Sequence, residues 1–210
     1  SNPIRITALG NVGTSFANHM KNVKISIVGS VAESSFYSTN NLSVNIEGNV
    51  GYGCMRGSGN GIININGNVG NSFGSNSKGI LAKIKGNVGP NLGCYSYDLS
   101  LLINGNVGDH FGVHSHDLMV VINGDVKDHF GIHSEYLQAV IEGNGGLDFA
   151  RDSNYLRSFV TGDIAKIKKG FFRGNEIYRG EKVKDQPQYD LIKLEIDRRM
   201  RSIWKWRRML

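Results

Sequence analysis

The chain has 210 residues, 40% of them hydrophobic, with 28 Gly, 3 Pro, 2 Cys and a formal charge of +6. Glycine is well above ordinary usage, yet the one-in-three glycine period and abundant proline of collagen are missing, and Ile and Val are too frequent for a flexible linker. No apolar run approaches the roughly 20 residues of a membrane helix. Ser1–Gly10 carries no basic-then-apolar leader, and two cysteines are too few for a disulfide framework, so a reducing, cytoplasmic setting is expected.

The first segment is ruled by a repeat. Gly10, Gly29, Gly48, Gly67, Gly86, Gly105, Gly124, Gly143 and Gly162 follow one another every 19 residues without insertion or deletion. With each of these glycines set as column 0, column 2 is Val in seven consecutive coils and column 17 is Ile in seven, from Ile27 to Ile141. Columns 13, 15 and 17 are apolar with period two, the signature of a strand with one buried face. Ile4, Ile6 and Ala8 occupy the same three columns ahead of Gly10. Column 6 supplies a second apolar wall through Phe16, Phe73, Leu92, Phe111, Phe130 and Phe149. Glycines at columns 0, 3 and 7 mark corners, where positive φ or close backbone approach excludes a side chain. Asn at column 1 fits a left-handed or side-chain-capped turn. A 19-residue unit cannot bury its own core, so the units must stack with equivalent residues about 4.8 Å apart. The fold expected is all-β: a right-handed parallel β-helix of about eight to nine coils over residues 1–165.

After Gly162 the ruler is expected to stop. Residues 166–187 read as a basic, irregular connector. From 188 to 210, Tyr189, Ile192, Ile196, Met200, Ile203, Trp206 and Leu210 recur at helical spacing, which predicts an amphipathic helix. Residues 1–165 hold 10 Lys/Arg against 12 Asp/Glu, and residues 166–210 hold 14 against 6, so the basicity belongs to the tail. Three readings stay open for this helix: a cap over the open end of the rod, a docking element for a protein partner, or the basic contact of a membrane-associated or polymerising structural protein, with an anionic membrane as its surface. The interaction residues expected are Arg198, Arg199, Arg201, Trp204, Lys205, Trp206, Arg207 and Arg208. No nucleic-acid-binding motif accompanies the charge, so nucleic acid is not the expected partner.

The string Gly-Asn-Val-Gly-x-x-Phe-Gly-x-x-Ser, best kept from Gly67 to Gly131 and followed by an alternating apolar strand, resembles the GXGXG repeat. That repeat builds the C-terminal domain of the glutamate synthase large subunit and the C subunit of formylmethanofuran dehydrogenase. The resemblance runs from Gly10 to about Ala165. It departs from the family where Met20 gives way to Thr39, Ser58, Ser77, Ser96, Ser115, Ser134 and Ser153, and where paired glycines before the strand become Asp98-Leu99 and Asp117-Leu118. The resemblance implies a rigid scaffold that packs within a larger complex, through a protein partner or self-association. It implies at most a non-catalytic domain or subunit of such an enzyme, and it transfers no catalytic residue, cofactor or small-molecule substrate.

One constellation carries chemistry of its own. Asp109-His110 and Asp128-His129 share columns 4 and 5, while His114 and His133 share column 9, so His110 should stand over His129 and His114 over His133. Imidazoles with neighbouring carboxylates suit a metal ion such as zinc, or acid–base chemistry. These residues are the candidates for a metal-binding or hydrolytic enzyme. The competing reading is that neighbouring coils simply repeat a surface residue. The serines of column 10 read as a hydrogen-bonded corner ladder rather than as nucleophiles. Cys54, in the inward column 6, reads as a small core residue.

Overall fold

The computed structural model describes residues 3–166 and 174–207, with the side chains of 166, 181, 182 and 202–207 left out of the description. Alternating apolar residues at columns 13, 15 and 17 make one strand per coil. These are β1 (Ile4–Leu9), β2 (Lys21–Val28), β3 (Asn40–Ile46), β4 (Ile62–Ile65), β5 (Lys78–Ile84), β6 (Tyr97–Ile103), β7 (His116–Ile122) and β8 (Glu135–Ile141). Gly145–Leu147 forms β9, Arg157–Val160 β10, Ile164–Lys166 β11 and Glu176–Arg179 β12. A 3-10 turn at Glu181–Asp185 leads into the helix α1, Pro187–Arg207.

Ten of these strands form one parallel sheet in the order β1-β2-β3-β4-β5-β6-β7-β8-β10-β12, and every partner lies 19 residues away, from Ile4 opposite Val23 to Arg157 opposite Glu176. On a second wall, β9 pairs with β11, continuing a run of parallel bridges that links column 2 from Val12 to Gly145. The result is a β-solenoid of about nine turns with one C-terminal helix. Its core is a column of Val, Ile, Leu and Phe inside the coils. Phe111, Phe130 and Phe149 stack there at 4.9 Å between ring centroids.

The two coils that lack a large residue at column 6 are repaired from the next position. Where column 6 is Ser35 or Cys54, column 7 is Phe36 or Met55, and all four are buried. Met55 explains a third anomaly, Gly61 in the apolar column 13. A Cβ on Gly61 would lie 3.1 Å from the Met55 methyl and 3.0 Å from Ile80, so the longer side chain occupies the volume that the glycine gives up.

The corner glycines divide into two kinds. A Cβ on Gly67 would stand 2.4 Å from the Gly48 carbonyl oxygen, and the same crowding meets Gly48, Gly105 and Gly143. Column 0 is therefore glycine because the coil below touches it. At column 7, Gly74, Gly93, Gly112 and Gly131 have φ near +60°, the left-handed region where glycine is unstrained.

Two expectations about the tail change. The segment expected to be an irregular connector contains β12, which extends the main sheet in register. Its coil opens on Gly162 but no column-0 glycine closes it, since residue 181 is Glu; Ile177 nonetheless packs on the core at column 15, and Asn175 donates to Ser153 and accepts from the Leu156 amide at 2.8 Å. The helix does not cap the rod's end. It lies along the outer face of the sheet against β4 to β8, where Tyr189, Ile192, Ile196 and Met200 form a second core with Val121, Val140, Phe159 and Val183.

Replacing Gly67 by Ala should cost about 3 kcal/mol through forced coil separation, lowering the melting temperature by on the order of 10 °C. Gly13→Ala, at a column-3 site where a Cβ meets nothing within 4 Å, is the control and should melt as the parent does. Equal melting of the two variants in a thermal circular dichroism scan would refute the contact argument.

Candidate functional site

The wall made by columns 4 to 12 of each coil has an unusual backbone. From Ser15 to Tyr155, columns 5, 7, 9 and 12 of every coil have φ between +52° and +67°, whether or not the residue is glycine. Non-glycine residues are strained there, with Asn, Asp and His tolerating it best. This decides how the histidines read. His110 and His129 occupy column 5, and His114 and His133 column 9, with φ of 60°, 64°, 55° and 54°. Other coils fill the same slots mostly with Ser, Asn, Asp or Gly, with His19 and Tyr95 at column 9 of two coils, so these positions favour a residue type that accepts a left-handed backbone.

The stacking expected from the sequence is present. His110 and His129 lie 4.5 Å apart between centroids with planes 14° from parallel, and His114 and His133 lie 4.8 Å apart at 10°. Tyr95 extends the second stack at 5.0 Å from His114, and Tyr97 stacks on His116 at the same distance. Tyr136 and Tyr155 stack at 4.9 Å. Parallel rings direct their in-plane nitrogen lone pairs side by side, whereas metal ligands must converge. Among the described residues, no three His, Cys, Asp or Glu side chains come together in a way that holds a metal ion.

The two aspartates are engaged in holding coils together. An Asp109 carboxylate oxygen accepts the Asp128 amide at 3.1 Å, and Asp128 accepts the Leu147 amide at 2.7 Å. His129 faces the buried Asp148 at 3.8 Å, and Arg151 donates to that carboxylate at 2.8 Å. His116 hydrogen bonds Asp117 at 2.8 Å and lies 3.7 Å from Glu135.

The serines of column 10 are buried, and each of Ser77, Ser96, Ser115, Ser134 and Ser153 donates to the carbonyl three residues earlier. A repeated hydroxyl spent on its own turn is no nucleophile. Both thiols are free and buried. Burial pushes Cys54 and Cys94 up to about 11, which leaves little thiolate at neutral pH. Cys94 lies in the wall, its sulfur 2.9 Å from the His110 carbonyl oxygen.

The second surface is the helix. Its inward stripe is spent on the rod, which removes those residues from any docking role. At its start, Glu142 accepts from Lys193 and, at 2.8 Å, from the Tyr189 hydroxyl. The Lys193 hydrogen bond holds the Glu142 carboxyl below the usual carboxylate range despite partial burial, helped by Tyr189 and Lys184. Further along, Arg199 turns inward, donating to Ser100 at 2.7 Å and lying 4.0 Å from Asp98. Of the expected basic contact residues, Arg198 and Arg201 are exposed. Arg198 and Arg199 hydrogen bond Glu195 and hold its carboxyl at about 2. Trp204, Lys205, Trp206 and Arg207 lie on the helix with side chains outside the described set, and Arg208 lies outside the described residues altogether. The sequence reading missed the outward seam of exposed Leu191 and Leu194 beside Arg198 and Arg201. Helical spacing from Leu191 gives it away.

Together these features define a β-solenoid repeat protein with a docked helix on its sheet and an aromatic, histidine-rich turn wall. No family model, curated protein or solved structure matches the chain. Among the described residues no helix is long and apolar enough to cross a membrane.

The latch at Glu142 has a definite pH dependence. A carboxylate with a lowered native pKa stabilises the docked helix above its unfolded value, near 4.3, and that stabilisation is lost as pH falls through the native value. Hydrogen exchange of amides 188–201 should therefore accelerate below about pH 4 before the sheet amides do. Glu142→Gln should remove this acid step. An unchanged profile in that variant would show that the latch does not hold the helix.

Proposed function

We propose that the chain is a non-catalytic scaffold module of the GXGXG type, acting in the cytoplasm within a larger complex. The observation that carries this reading is that the chemically suggestive side chains of the rod are engaged in its own ladders. The histidines stack in left-handed slots, Asp109 and Asp128 bind backbone amides, the column-10 serines bind their own turns, and both thiols are shielded. The 19-residue period and the glycines at columns 0 and 3 support the family likeness. Activity then consists of presenting a rigid surface. The wall bearing exposed Tyr95, Tyr97, Tyr136 and Tyr155 meets a protein partner, since clustered amphipathic aromatics are what protein interfaces use as anchors.

A second reading, contact with an anionic membrane surface, is favoured by one feature. Leu191 and Leu194 are 61% and 57% exposed on the side of the helix that also carries Arg198 and Arg201, a pattern suited to interfacial binding.

Co-purification from the native cell separates these readings. The scaffold reading expects a protein captured by the parent to be lost on replacing Tyr97 and Tyr136 by Ser and kept on replacing Leu191 and Leu194 by Ser. The membrane reading expects the reverse in flotation with anionic vesicles. The metal-enzyme alternative predicts stoichiometric zinc that disappears when His110, His114, His129 and His133 become Asn, a residue that keeps the left-handed backbone. Finding such zinc would overturn the scaffold reading.

A further inference from the structure

The turn wall is furrowed along the rod. One rim is made by columns 4 and 5, the other by column 9, and column 8 forms the floor. In mid-rod the floor narrows to Ser75 and Cys94, both buried. In the coil below, columns 5 and 9 are Gly53 and Gly57, so Tyr52 at column 4 is the one rim side chain there. The furrow has a volume of about 360 Å³; Tyr52, Asn76, Asn91, Tyr95 and His110 stand on its rims, and the exposed Arg56, at column 8, ends its floor.

The buried floor at Ser75 and Cys94 turns its donors to the protein's own carbonyls, whereas the rims and Arg56 have polar groups to spare. The Ser75 hydroxyl lies 3.1 and 3.0 Å from the carbonyl oxygens of Ser72 and Asn91, and the Cys94 sulfur is held by the His110 carbonyl. By contrast, the side chains of Arg56, Asn76 and Asn91 have no hydrogen bond or ion pair to any described residue. Tyr52 and Tyr95 are 52% and 59% exposed.

The shape selects the ligand. Tyr95 is stacked from above by His114, and Asn76 stands one coil step, about 4.8 Å, below it. A flat base or aromatic ring cannot slide into that gap. The furrow therefore recognises through phenol, amide and imidazole edges rather than ring faces. Amides and phenols both donate and accept, as a polyhydroxylated ring requires. The lone unpaired guanidinium matches a carboxylate through its fork of N–H donors. The volume, near the lower end for small-molecule sites, fits one or two pyranose units.

We propose that this furrow binds an acidic sugar of the uronate class, with the carboxylate on Arg56 and the ring hydroxyls on Asn76, Asn91 and the two phenols. The site shares Tyr95 with the tyrosine wall of the scaffold reading but not Tyr97, Tyr136 or Tyr155, so the rod can present those three with the furrow empty or filled.

The intact protein titrated with glucuronate, glucose and acetate, followed by amide chemical shifts and by melting temperature, tests the proposal. Glucuronate should give saturable shifts confined to residues 52–113, with glucose and acetate each binding about tenfold more weakly. Arg56→Lys and Asn76→Gly should each weaken glucuronate by about tenfold, and Gln138→Ala, on an exposed strand position of another wall, should leave it unchanged. Unaltered melting of the variants shows that the fold is intact. Equal binding of acetate and glucuronate would reduce the furrow to an anion contact and overturn the proposal. Saturation elsewhere in the chain, or no saturable shift with glucuronate, would overturn it too. Partner capture through Tyr97 and Tyr136 is read separately, so either conclusion can fail alone.

Discussion

Between Gly29 and Gly162 the backbone of each coil passes so close to the coil before it that a single Cβ at column 0 would overlap it. The rest of the molecule depends on that contact. It fixes the coil length, because an extra residue anywhere would carry the next corner out of register. Column 1 then locks the stack sideways: the side-chain oxygens of Asn49, Asn68, Asn87 and Asn106 accept the amide one coil on at 2.8 Å, and Asp125 accepts the Asn144 amide at 2.7 Å. Column 3 is crowded in a similar way yet admits Ala32 and Lys127. Column 0 admits nothing but glycine in nine coils.

A rod built this way places chemistry in ladders. A residue at a given column meets its counterpart about 4.8 Å above and below it, with both side chains pointing the same way. Such an array suits stacking, as in the phenylalanines of the core and the histidines of the wall. It does not suit convergence on one atom, which a metal or an acid–base pair requires. The histidines are better understood from the backbone. Four columns per coil demand a left-handed residue, and Asn, Asp, Gly and His are the residue types that meet this demand at least cost.

Much of this was legible in the sequence for a physical reason. A steric rule confined to one residue leaves one letter unchanged, so column 0 and its period could be read directly, and with them the strands, the stack and the vertical pairing of the histidines. Column 12 was harder. Asp98 and Asp117 looked like departures from a paired-glycine pattern, but they share a positive φ with Asn22, Asn41, Asn60 and Gly79 of the same column. Column 1 was read as a turn residue, whereas its task is to bridge coils. The strand β12 was hidden because Asn175 replaces an apolar residue at column 13 and satisfies the chain by hydrogen bonding instead. The helix stripe is plain from spacing, but the face it docks on does not show in the helix itself. The signal lay in outward strand positions, where Leu81, Leu102, Met119, Val121, Val140 and Phe159 are apolar although a solvated sheet face would be polar.

That outward stripe also explains the path of the helix. A helical turn rises about 5.4 Å and a coil about 4.8 Å, so a helix that keeps one turn over each coil must cross the sheet obliquely. The apolar stripe beneath it drifts accordingly, from column 16 at Phe159, Val140, Val121 and Leu102 to column 14 at Leu81 and Ile62. Tyr189 meets Phe159 edge-on at 6.2 Å near the start of this path, and Arg199 reaches Ser100 farther along it. The helix thus ties successive coils together across the direction in which they would otherwise part. One face of the solenoid is closed by its own tail, which leaves the turn wall, with its exposed tyrosines, as a surface for binding something else.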